Sequence, residues 1–501
     1  MNIANIFEAS VNQWPQRTAI IDKDGREYSF DELHSLVMMQ LKIFQSRGIK
    51  EGDRVMVFVP MSIELYVSVL ALFYAGATAV FLDEWVNRKR LDYCCEMAHC
   101  RGFIASAKIR FLAITSKSIR NIPLWFKLPA TQVVHEKKQV PFDASAKHPA
   151  LITFTTGSTG QPKAAIRTHE FLKAQFDALM PLTTPFPEHP SGPDMPMLPI
   201  VLLLNLGNGV TSVIADFKAS KPQEFDASKI WNQIAKHQVV SLTTSPYYSS
   251  LIANAAPNKQ HSLKRMILGG APVFPDLVSN IQAKNPGVET IAVYGSSEAE
   301  PISHLIGDAL IAFHQQVSPQ EGLLAGIPDT NTKIAIVSLD YKYGDAFSPL
   351  TNANEIGEIC VSGAHVLQDY LNPTEATRQQ KIWVGNQCWH LTGDAGHLNG
   401  DGQLFLLGRC QRIINFKGRT YYPLLVEYYL QQFQSISVGT ILLKNDQLYI
   451  VIKPKQDLID ATTRSVIAEF LPEATLKILQ SFPMDPRHYS KIDYEKLMEC
   501  I

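Results

Sequence analysis

The chain lacks an excess of charge of either sign. Its 46 Lys and Arg residues face 47 Asp and Glu residues, a formal net charge of −1 over 501 residues. A balance this even leaves no electrostatic footprint for a nucleic acid or an anionic membrane. Apolar residues make up 46% of the chain and charged residues 19%, so disorder is excluded and a sizeable core is expected.

Cysteine is scarce, with seven residues spread over the chain. An odd number at such low density argues against a disulfide framework and for reduced thiols in a cytoplasmic protein. Cys94, Cys95, His99 and Cys100 do cluster on one predicted helix. Their spacing matches no familiar zinc pattern, so we expect thiols packed in a helix face, with a metal site as the alternative.

We expect no secretory leader, and long uninterrupted apolar runs are also missing from the sequence. The N-terminus has no basic stretch, and Glu8 arrives early. Two uncharged stretches, Leu65–Leu82 and Met195–Ala215, reach the length of a membrane span, but small, polar and Pro residues interrupt both. We expect buried helix-to-strand connections there and no integral membrane segment.

Helical and strand patterns alternate, which predicts an α/β fold with mainly parallel sheets. The first unit is an amphipathic helix at Asp31–Arg47, a strand at Asp53–Val59, a helix at Ser62–Tyr74 and a strand from Ala79. Beyond about residue 320, shorter strands predict a small barrel or meander. The last part of the chain predicts a compact α+β unit, with a domain boundary near Arg409.

The strongest local motif is LITFTTGSTGQPK, at Leu151–Lys163. Its glycines allow a tight turn that presents N–H groups, and its hydroxyls and Lys163 supply donors and a positive charge for a polyphosphate. It is not a Walker A loop, because Gln161 and Pro162 separate the last glycine from the lysine. A simple turn between two strands is the alternative. The loop residues are Thr155, Thr156, Gly157, Ser158, Thr159 and Gly160.

Two further motifs lie at predicted strand ends, where open α/β sheets bind ligands. In VYGSSE, Tyr294 offers a stacking face, Ser297 a hydroxyl and Glu298 an oxygen ligand suited to Mg²⁺. The preceding strand ends in small residues that let a planar ring approach, namely Gly269, Gly270, Ala271 and Pro272.

Two weaker motifs come later in the chain. In LTGD, Asp394 can accept both hydroxyls of a ribose, and Arg409 can donate to the same sugar. Lys491 lies in PMDPRHYSKI, a segment stiffened by proline close to the C-terminus. Taken singly, these residues are more often a turn Asp, a surface Arg and a solvated Lys.

Together, in this order, the motifs resemble those of the adenylate-forming superfamily: acyl-CoA synthetases, adenylation domains of peptide synthetases and luciferase-like ligases. TTGSTGQPK resembles the phosphate loop, YGSSE the nucleotide segment, LTGD the ribose motif and GRCQRIINFKGRTYYPLLVE the hinge motif. The resemblance covers essentially the whole chain.

The resemblance implies a large N-terminal domain, 1–409, of two αβ subdomains plus a small β-barrel. A small mobile α+β domain, 410–501, would carry the catalytic Lys491. A carboxylic acid would attack ATP to give an acyl-adenylate and pyrophosphate, and a second nucleophile would displace AMP. That nucleophile is commonly the thiol of CoA or of a phosphopantetheinyl acyl carrier protein.

The resemblance also implies a role for each residue. Lys491 would bridge the carboxylate and the phosphate, Glu298 would bind Mg²⁺, and Ser297 would bind the α-phosphate. The loop 155–160 and Lys163 would hold the other phosphates. The remaining nucleotide contacts would come from Gly270, Ala271, Pro272, Tyr294 and Gly295 around the adenine and from Asp394 and Arg409 at the ribose.

The sequence departs from the superfamily pattern at two places. The hinge position is the neutral Gln411, where Asp or Lys is usual. The final motif reads Arg487-His488-Tyr489-Ser490-Lys491 and lacks the Gly before Lys. It is similar to that of fatty-acyl ligase-like proteins and of the β-lactone synthetases of olefin biosynthesis, in which the hydroxyl of the substrate closes a ring without CoA.

The acyl pocket is expected around LPIVLLLNLGNGV, at Leu198–Val210. Its aliphatic residues favour an apolar tail, and we assign Asn205, Gly207 and Gly269 to the pocket. A buried helix start explains the leucines equally well. The leading hypothesis is activation of a fatty or other apolar acid and transfer to a thiol. The alternatives are β-lactone formation and a nucleotide-binding protein without catalysis.

Overall fold

The computed structural model describes residues 1–82, 88–156, 162–184, 186, 188–190, 192–257, 260–316, 319–456, 458–485 and 489–501. The helices within these ranges are α1 Ala4–Gln13, α2 Phe30–Ser46, α3 Ile63–Tyr74, α4 Arg88–Ala98, α5 Ala107–Ala113, α6 Lys117–Arg120, α7 His169–Thr183, α8 Pro199–Gly207, α9 Ala227–His237, α10 Pro246–Asn254, α11 Pro275–Lys284, α12 Gly307–Gln316, α13 Glu375–Arg378, α14 Pro423–Gln431, α15 Ala461–Phe470 and α16 Tyr494–Glu499.

The strands up to the middle of the chain are β1 Thr18–Ile21, β2 Glu27–Ser29, β3 Arg54–Phe58, β4 Thr78–Phe81, β5 Gly102–Ala105, β6 Leu124–Phe126, β7 Pro149–Thr156, β8 Pro162–Thr168, β9 Asp194–Pro196, β10 Ser212–Val213, β11 Ser241–Thr244, β12 Arg265–Leu268 and β13 Glu289–Ser296. The later strands are β14 Ala299–Ile306, β15 Leu323–Pro328, β16 Lys333–Val337, β17 Gly357–Ser362, β18 Tyr370–Leu371, β19 Lys381–Val384, β20 Gln387–Leu398, β21 Leu404–Arg409, β22 Ile414–Phe416, β23 Arg419–Tyr421, β24 Ile436–Lys444, β25 Gln447–Pro454 and β26 Thr475–Ile478.

Two large sheets carry the αβ layering. One runs β18-β8-β7-β4-β3-β5-β6 and is parallel from β7 to β6. The other contains a parallel run, β13-β12-β11-β9-β10-β1, in the middle of a longer order. Helices pack on these parallel strands, which confirms the predicted α/β class.

The strands predicted as a small barrel form an open sheet instead. In the described residues the order β16-β17-β20-β21-β15 is antiparallel and continues through β14 into the second large sheet. β16 and β15 do not pair with each other, so no closed barrel forms in this part of the chain. The short strands beyond about residue 320 also predicted a meander as the alternative to a barrel.

Local sequence explains where the first helices begin and end. Ser29 and Glu32 form a capping box at the start of α2, whose buried face includes Leu33 and Leu36. The uncharged stretch Leu65–Leu82 is α3 followed by β4, joined through Gly76 at φ +68°. A side chain at this glycine would collide with the Phe142 ring. None of the described helices is both long and apolar enough to cross a bilayer.

Separate cores serve the two αβ layers and the last part of the chain. One core centres on α2 and α3, and another on the strands β11, β12 and β15. Residues after β21 build a further core from Ile414, Val426, Leu430 and Ile450 around the sheet β24-β25-β26. A domain boundary after Arg409 fits this arrangement and stays a prediction.

The cysteine cluster is packed in a third core, on the outer side of the first sheet. Cys94, Cys95 and Cys100 are buried, and the Sγ of Cys95 lies 3.3 Å from the Sδ of Met56. Burial raises the pKa of Cys94 and Cys100 to about 12. Such thiols stay protonated at neutral pH and act as small apolar side chains.

A buried polar cluster joins β9, α8 and β10. Asn205, which is fully buried, donates through Nδ2 to Asp194 Oδ2 at 2.7 Å and to Ser212 Oγ at 3.0 Å. Burial raises the pKa of Asp194 to about 6. Ionisation of this buried carboxyl group therefore costs folding free energy.

Replacement of this carboxyl group tests the pH dependence of stability. The unfolded chain ionises Asp194 near its ordinary pKa of 3.8, so the folded state binds the proton more tightly and loses stability as the pH rises through 6. We expect wild type to lose on the order of 2 to 3 kcal/mol relative to Asp194→Asn between about pH 4 and 7 in denaturant unfolding. The exposed Asp401→Asn serves as control, and parallel profiles for wild type and Asp194→Asn would contradict the burial account.

Candidate active site

A cleft of about 1850 Å³ opens where strands of both large sheets end and the C-terminal part of the chain covers them. It gathers side chains that are distant in sequence, and among the described residues it holds most of the predicted site. The predicted residues that line it are Lys163, Gly270, Ala271, Pro272, Tyr294, Gly295, Ser297, Glu298, Asp394, Arg409, Gln411 and Lys491.

Some predicted residues lie elsewhere or outside the description. Thr155 and Thr156 end β7, and the structure describes only their backbone; Gly157, Ser158, Thr159 and Gly160 fall outside the described residues. Three predicted substrate residues do not line the cleft, namely Asn205, Gly207 and Gly269.

The reasons for these three placements are structural. Asn205 bonds to Asp194 inside the fold. Gly207 is small because a Cβ would lie 2.6 Å from both Ile6 Cγ2 and Phe176 Cε2. Gly269 is buried, and its N–H bonds to the carbonyl oxygen of Thr244. Asn205, Gly207 and Gly269 therefore stabilise the packing of helices and strands.

Asp394 is held between two donors at one end of the cleft. Its Oδ2 accepts from the Tyr294 hydroxyl at 2.8 Å, and its Oδ1 lies 3.2 Å from Arg409 Nε. Arg409 also donates through Nη1 to the carbonyl oxygen of Thr392 at 3.0 Å. The register pairs residue 394 with 409 on β20 and β21, so adjacent strands fix the carboxylate and the guanidinium together.

Glu298 lies at the turn between β13 and β14 and stays ionised. Burial would raise its pKa, but the charges of His390 and Lys381 and a hydrogen bond from Tyr370 bring the net value below the ordinary one. The Tyr370 hydroxyl is 3.2 Å from Glu298 Oε1. A charged, oriented carboxylate of this kind can take a hard cation.

The supporting cation Lys381 was not predicted from sequence. It is 6% exposed, and burial lowers its pKa to about 8. Its ammonium group donates to the carbonyl oxygen of Leu367 and lies 5.5 Å from the centre of the Tyr370 ring. No local motif marks Lys381 or Tyr370, because only sheet pairing brings them to Glu298.

Lys163 extends into the cleft from the second strand of the loop motif. Its ammonium group donates to Gln380 Oε1 at 3.0 Å. Burial lowers its pKa, and the nearby Glu298 carboxylate opposes that effect. The predicted phosphate-loop lysine therefore lies on the same side of the cleft as the candidate metal ligand.

Lys491 reaches the cleft because the segment before it docks on α10. The Tyr489 ring packs against the Tyr247 ring with centroids 4.8 Å apart and planes at 60°. Ser490 Oγ accepts from the Tyr247 backbone N–H at 3.0 Å, and Gln223 Nε2 donates to the Tyr489 hydroxyl at 3.2 Å. Tyr489 adopts φ +51°, a left-handed conformation that costs about 1 kcal/mol for a residue with a Cβ.

The turn that follows Arg409 is tied to the C-terminal helix. The Arg412 guanidinium lies 4.9 Å from the centre of the Tyr494 ring. The Tyr494 hydroxyl donates to Glu427, which also accepts from Thr440 Oγ1 at 2.8 Å. Gln411, the predicted hinge, is in this turn and lines the cleft.

Part of the cleft lining is apolar. Its wall is formed by α3, the end of β4 and the start of α8, with two charged residues, Arg167 and Glu300, nearby. The apolar lining residues are Leu65, Tyr66, Val69, Phe81, Leu151, Leu198, Ile200 and Leu203. Part of the predicted leucine stretch therefore does face the cleft.

Comparison with known proteins agrees with this geometry. The sequence profile described as AMP-binding enzyme matches residues 7–371, most of the chain. The chain belongs to the AMP-binding enzyme family. The Asp394 and Arg409 pair, the Glu298 turn and Lys163 line one cleft of this family member.

The similar proteins differ in the activities that their names give. An olefin β-lactone synthetase of Xanthomonas campestris is 27% identical over 90% of this chain and 86% of its own. 4-Coumarate–CoA ligase 3 of Arabidopsis thaliana is 22% identical, covering 86% and 77%. The O-succinylbenzoate CoA synthetase of Bacillus subtilis, solved with ATP and magnesium, shares the fold with a TM-score of 0.79 at 19% identity over 97% of both chains.

The docked segment makes a prediction for this AMP-binding enzyme. Tyr489→Gly keeps the left-handed backbone and removes the ring contact and the Gln223 hydrogen bond, so the segment should undock more often. We expect roughly 10-fold faster hydrogen exchange at the Tyr247 amide, which Ser490 protects.

Residue-resolved mass spectrometry measures this exchange. Tyr343→Gly, at an exposed turn position, is the control and should leave the Tyr247 amide unchanged. Equal protection in Tyr489→Gly and wild type would show that the ring contact does not hold the segment.

Proposed function

We propose that the protein is an ATP-dependent carboxylate-activating ligase that forms an acyl-adenylate and releases pyrophosphate. The observation that carries the proposal is the position of Lys491. The C-terminal segment presents this cation to the same cleft as Glu298 and the Asp394 and Arg409 pair. The candidate nucleotide groups, the apolar side chains and Lys491 thus line one cleft.

The proposed first step is displacement at phosphorus. A carboxylate oxygen of the acid attacks the α-phosphorus of ATP, the bond to the bridging oxygen breaks, and pyrophosphate leaves. Lys491 neutralises the carboxylate and phosphate oxygens as they approach, and Ser297 donates to the α-phosphate. Asp394 accepts from the ribose hydroxyls while Tyr294 and Arg409 hold its carboxylate in place.

Magnesium fits the residues present. Mg²⁺ is usually held by one or two carboxylates together with substrate phosphates, and Glu298 is an ionised carboxylate at the cleft. When bound there, the ion would neutralise charge on the phosphate oxygens. Lys163 and the loop 155–160 would bind the outer phosphates on the same side.

The acid is proposed to carry an apolar tail, because aliphatic and aromatic side chains form part of the cleft lining. We further propose that residues 410–501 act as a domain that moves about Gln411. In this proposal Lys491 faces the cleft for adenylation, and a different face of the domain serves the second step.

Two acceptors remain candidates for that second step. Transfer to the thiol of CoA or of a carrier protein is supported by the likeness to CoA ligases. Ring closure by a hydroxyl of the substrate is supported by the olefin β-lactone synthetases, which are 27% identical over 90% of the chain. In either case AMP is the leaving group.

Removal of the Lys491 charge tests the first step. We expect Lys491→Ala to lower acid-dependent ATP–pyrophosphate exchange by about 10²- to 10³-fold, because the developing charge on phosphorus loses its cation. Lys496→Ala is the matched control, since Lys496 belongs to the same part of the chain but pairs with Asp493 at the protein surface. If exchange survives in Lys491→Ala, the assigned role is wrong.

A panel of acids and acceptors tests the whole proposal. Pyrophosphate release is measured with acids of different length, and the best acid is then incubated with CoA, with a carrier protein or with no acceptor. Mass spectrometry of the product separates a thioester from a β-lactone. Pyrophosphate release with no acid of the panel would favour a nucleotide-binding protein without catalysis.

A further inference from the structure

The even charge of the whole chain hides a local excess of positive charge. The stretch 97–135 contains six Lys and Arg residues and no Asp or Glu. Its cations are Arg101, Lys108, Arg110, Lys117, Arg120 and Lys127. In a chain whose net charge is −1, such a stretch concentrates positive charge in one part of the fold.

Much of this stretch forms two short helices beside the first large sheet. α5 begins two residues after β5 ends, and α6 precedes β6, the last strand in the order of that sheet. Among the described residues, no ion pair involves Lys108, Lys117 or Arg120. All three side chains are exposed, so their charges are available to an external ligand.

Two carboxylates on α4 partly offset these cations. Asp92 accepts a hydrogen bond from the Ser116 hydroxyl, and Glu96 Oε1 accepts from Ser118 Oγ at 2.8 Å. Counted from residue 88 to residue 127, nine Lys and Arg residues accompany only these two carboxylates. The local excess of positive charge therefore persists.

Two exposed apolar side chains lie among the cations. Phe111 is 75% exposed and Ile114 is 51% exposed. The inner side of α5 is packed, because Ala113 belongs to the third core and Ile109 packs against it. Phe111 is two residues from each of them, so it lies on the opposite side of the helix. Packing against the core therefore does not account for the Phe111 ring.

α5 also begins at the end of the sheet where the cleft opens. Phe81, at the end of β4, lines the cleft. The parallel register aligns Phe81 with Val57 on β3 and Val57 with Ile104 on β5. Two strand spacings, about 10 Å, therefore separate Phe81 from Ile104. The start of α5 is thus close to part of the apolar lining.

We propose that α5, Ile114 and α6 form a docking surface for an anionic lipid bilayer. Phe111 and Ile114 insert at the boundary between headgroups and acyl chains. Lys108, Lys117 and Arg120 attract the anionic headgroups. A nucleic acid would also attract the cations and would stack on Phe111, but it offers no apolar environment for Ile114. The docking surface is separate from the proposed activation chemistry, so its test uses neither ATP nor acid.

Sedimentation with lipid vesicles tests the docking surface. The full chain is mixed with vesicles of phosphatidylcholine alone or of equal parts of phosphatidylcholine and phosphatidylserine, and the bound fraction is measured. We expect roughly 10-fold or stronger preference for the anionic vesicles. The preference should disappear at about 1 M salt, where the Debye length falls to about 3 Å.

Two sets of substitutions separate the apolar part of the surface from the charged part. Phe111→Ser with Ile114→Ser should weaken binding to the anionic vesicles by about 10- to 100-fold, because the inserted side chains are lost. Lys108→Gln, Lys117→Gln and Arg120→Gln together should weaken it by about 100-fold. All five positions are at least half-exposed or fully exposed, and either set carries the test if the other fails to fold.

Two exposed lysines in the other αβ layer provide the matched control. Lys264→Gln with Lys284→Gln removes charge next to β12 and at the end of α11, and should leave vesicle binding unchanged. The inference is overturned if anionic vesicles are not bound, if neutral vesicles are bound equally well, or if the control pair weakens binding as much as the charge variant.

Wild-type binding by the Phe111 and Ile114 double variant would also overturn it, since the surface would then be a purely electrostatic site of the kind that suits a nucleic acid. None of these outcomes bears on the proposed carboxylate activation, because no substrate is present.

Discussion

The docking of the Tyr489 and Ser490 segment on Tyr247 is the contact on which the completed cleft depends. The first 409 residues supply the candidate nucleotide groups, the apolar lining and the Glu298 turn. Residues after 409 add Lys491 to this cleft, which Lys163, Arg167 and Arg409 also line. Two ring systems and two hydrogen bonds bring Lys491 to this position from the far end of the chain. Their combined strength is modest.

Nearby charges and a hydrogen bond explain why Glu298 stays ionised in the cleft. Asp394 has Arg409 and Tyr294 beside it, and Glu298 lies near Lys381 and Lys163. Asp394 and Glu298 thus each have positive charge nearby. The near-zero net charge of the whole chain is consistent with this arrangement, because the cleft has to bind only one polyanion and a few placed groups suffice.

Sequence patterns predicted the class of fold, and many of the candidate site residues that they marked line one cleft. Helical and strand periodicity placed the α2-β3-α3-β4 unit within one or two residues, because each element buries one clear apolar face. The motif residues at strand ends met as expected, since the carboxyl ends of parallel strands share one edge. The local sequence was sufficient to predict a candidate binding residue wherever that residue directly follows a strand.

Predictions failed where long-range packing decides the role of a residue. Asn205 and Gly207 looked like pocket residues but serve the Asp194 cluster and the contact with Phe176. Lys381, Arg167 and Glu300 carry no motif. Strand pairing brings Arg167 and Glu300 to the cleft and Lys381 close to Glu298. The expected barrel remained open because its end strands do not pair in the described part of the chain.

The central claim is that a carboxylate oxygen attacks the α-phosphorus of ATP in this cleft. An acid labelled with ¹⁸O at both carboxyl oxygens, incubated with the protein, ATP and magnesium until the activated acid is consumed, reports the bond directly. The account predicts one ¹⁸O in AMP and none in pyrophosphate. Label in orthophosphate, with ADP as the other product, would contradict it.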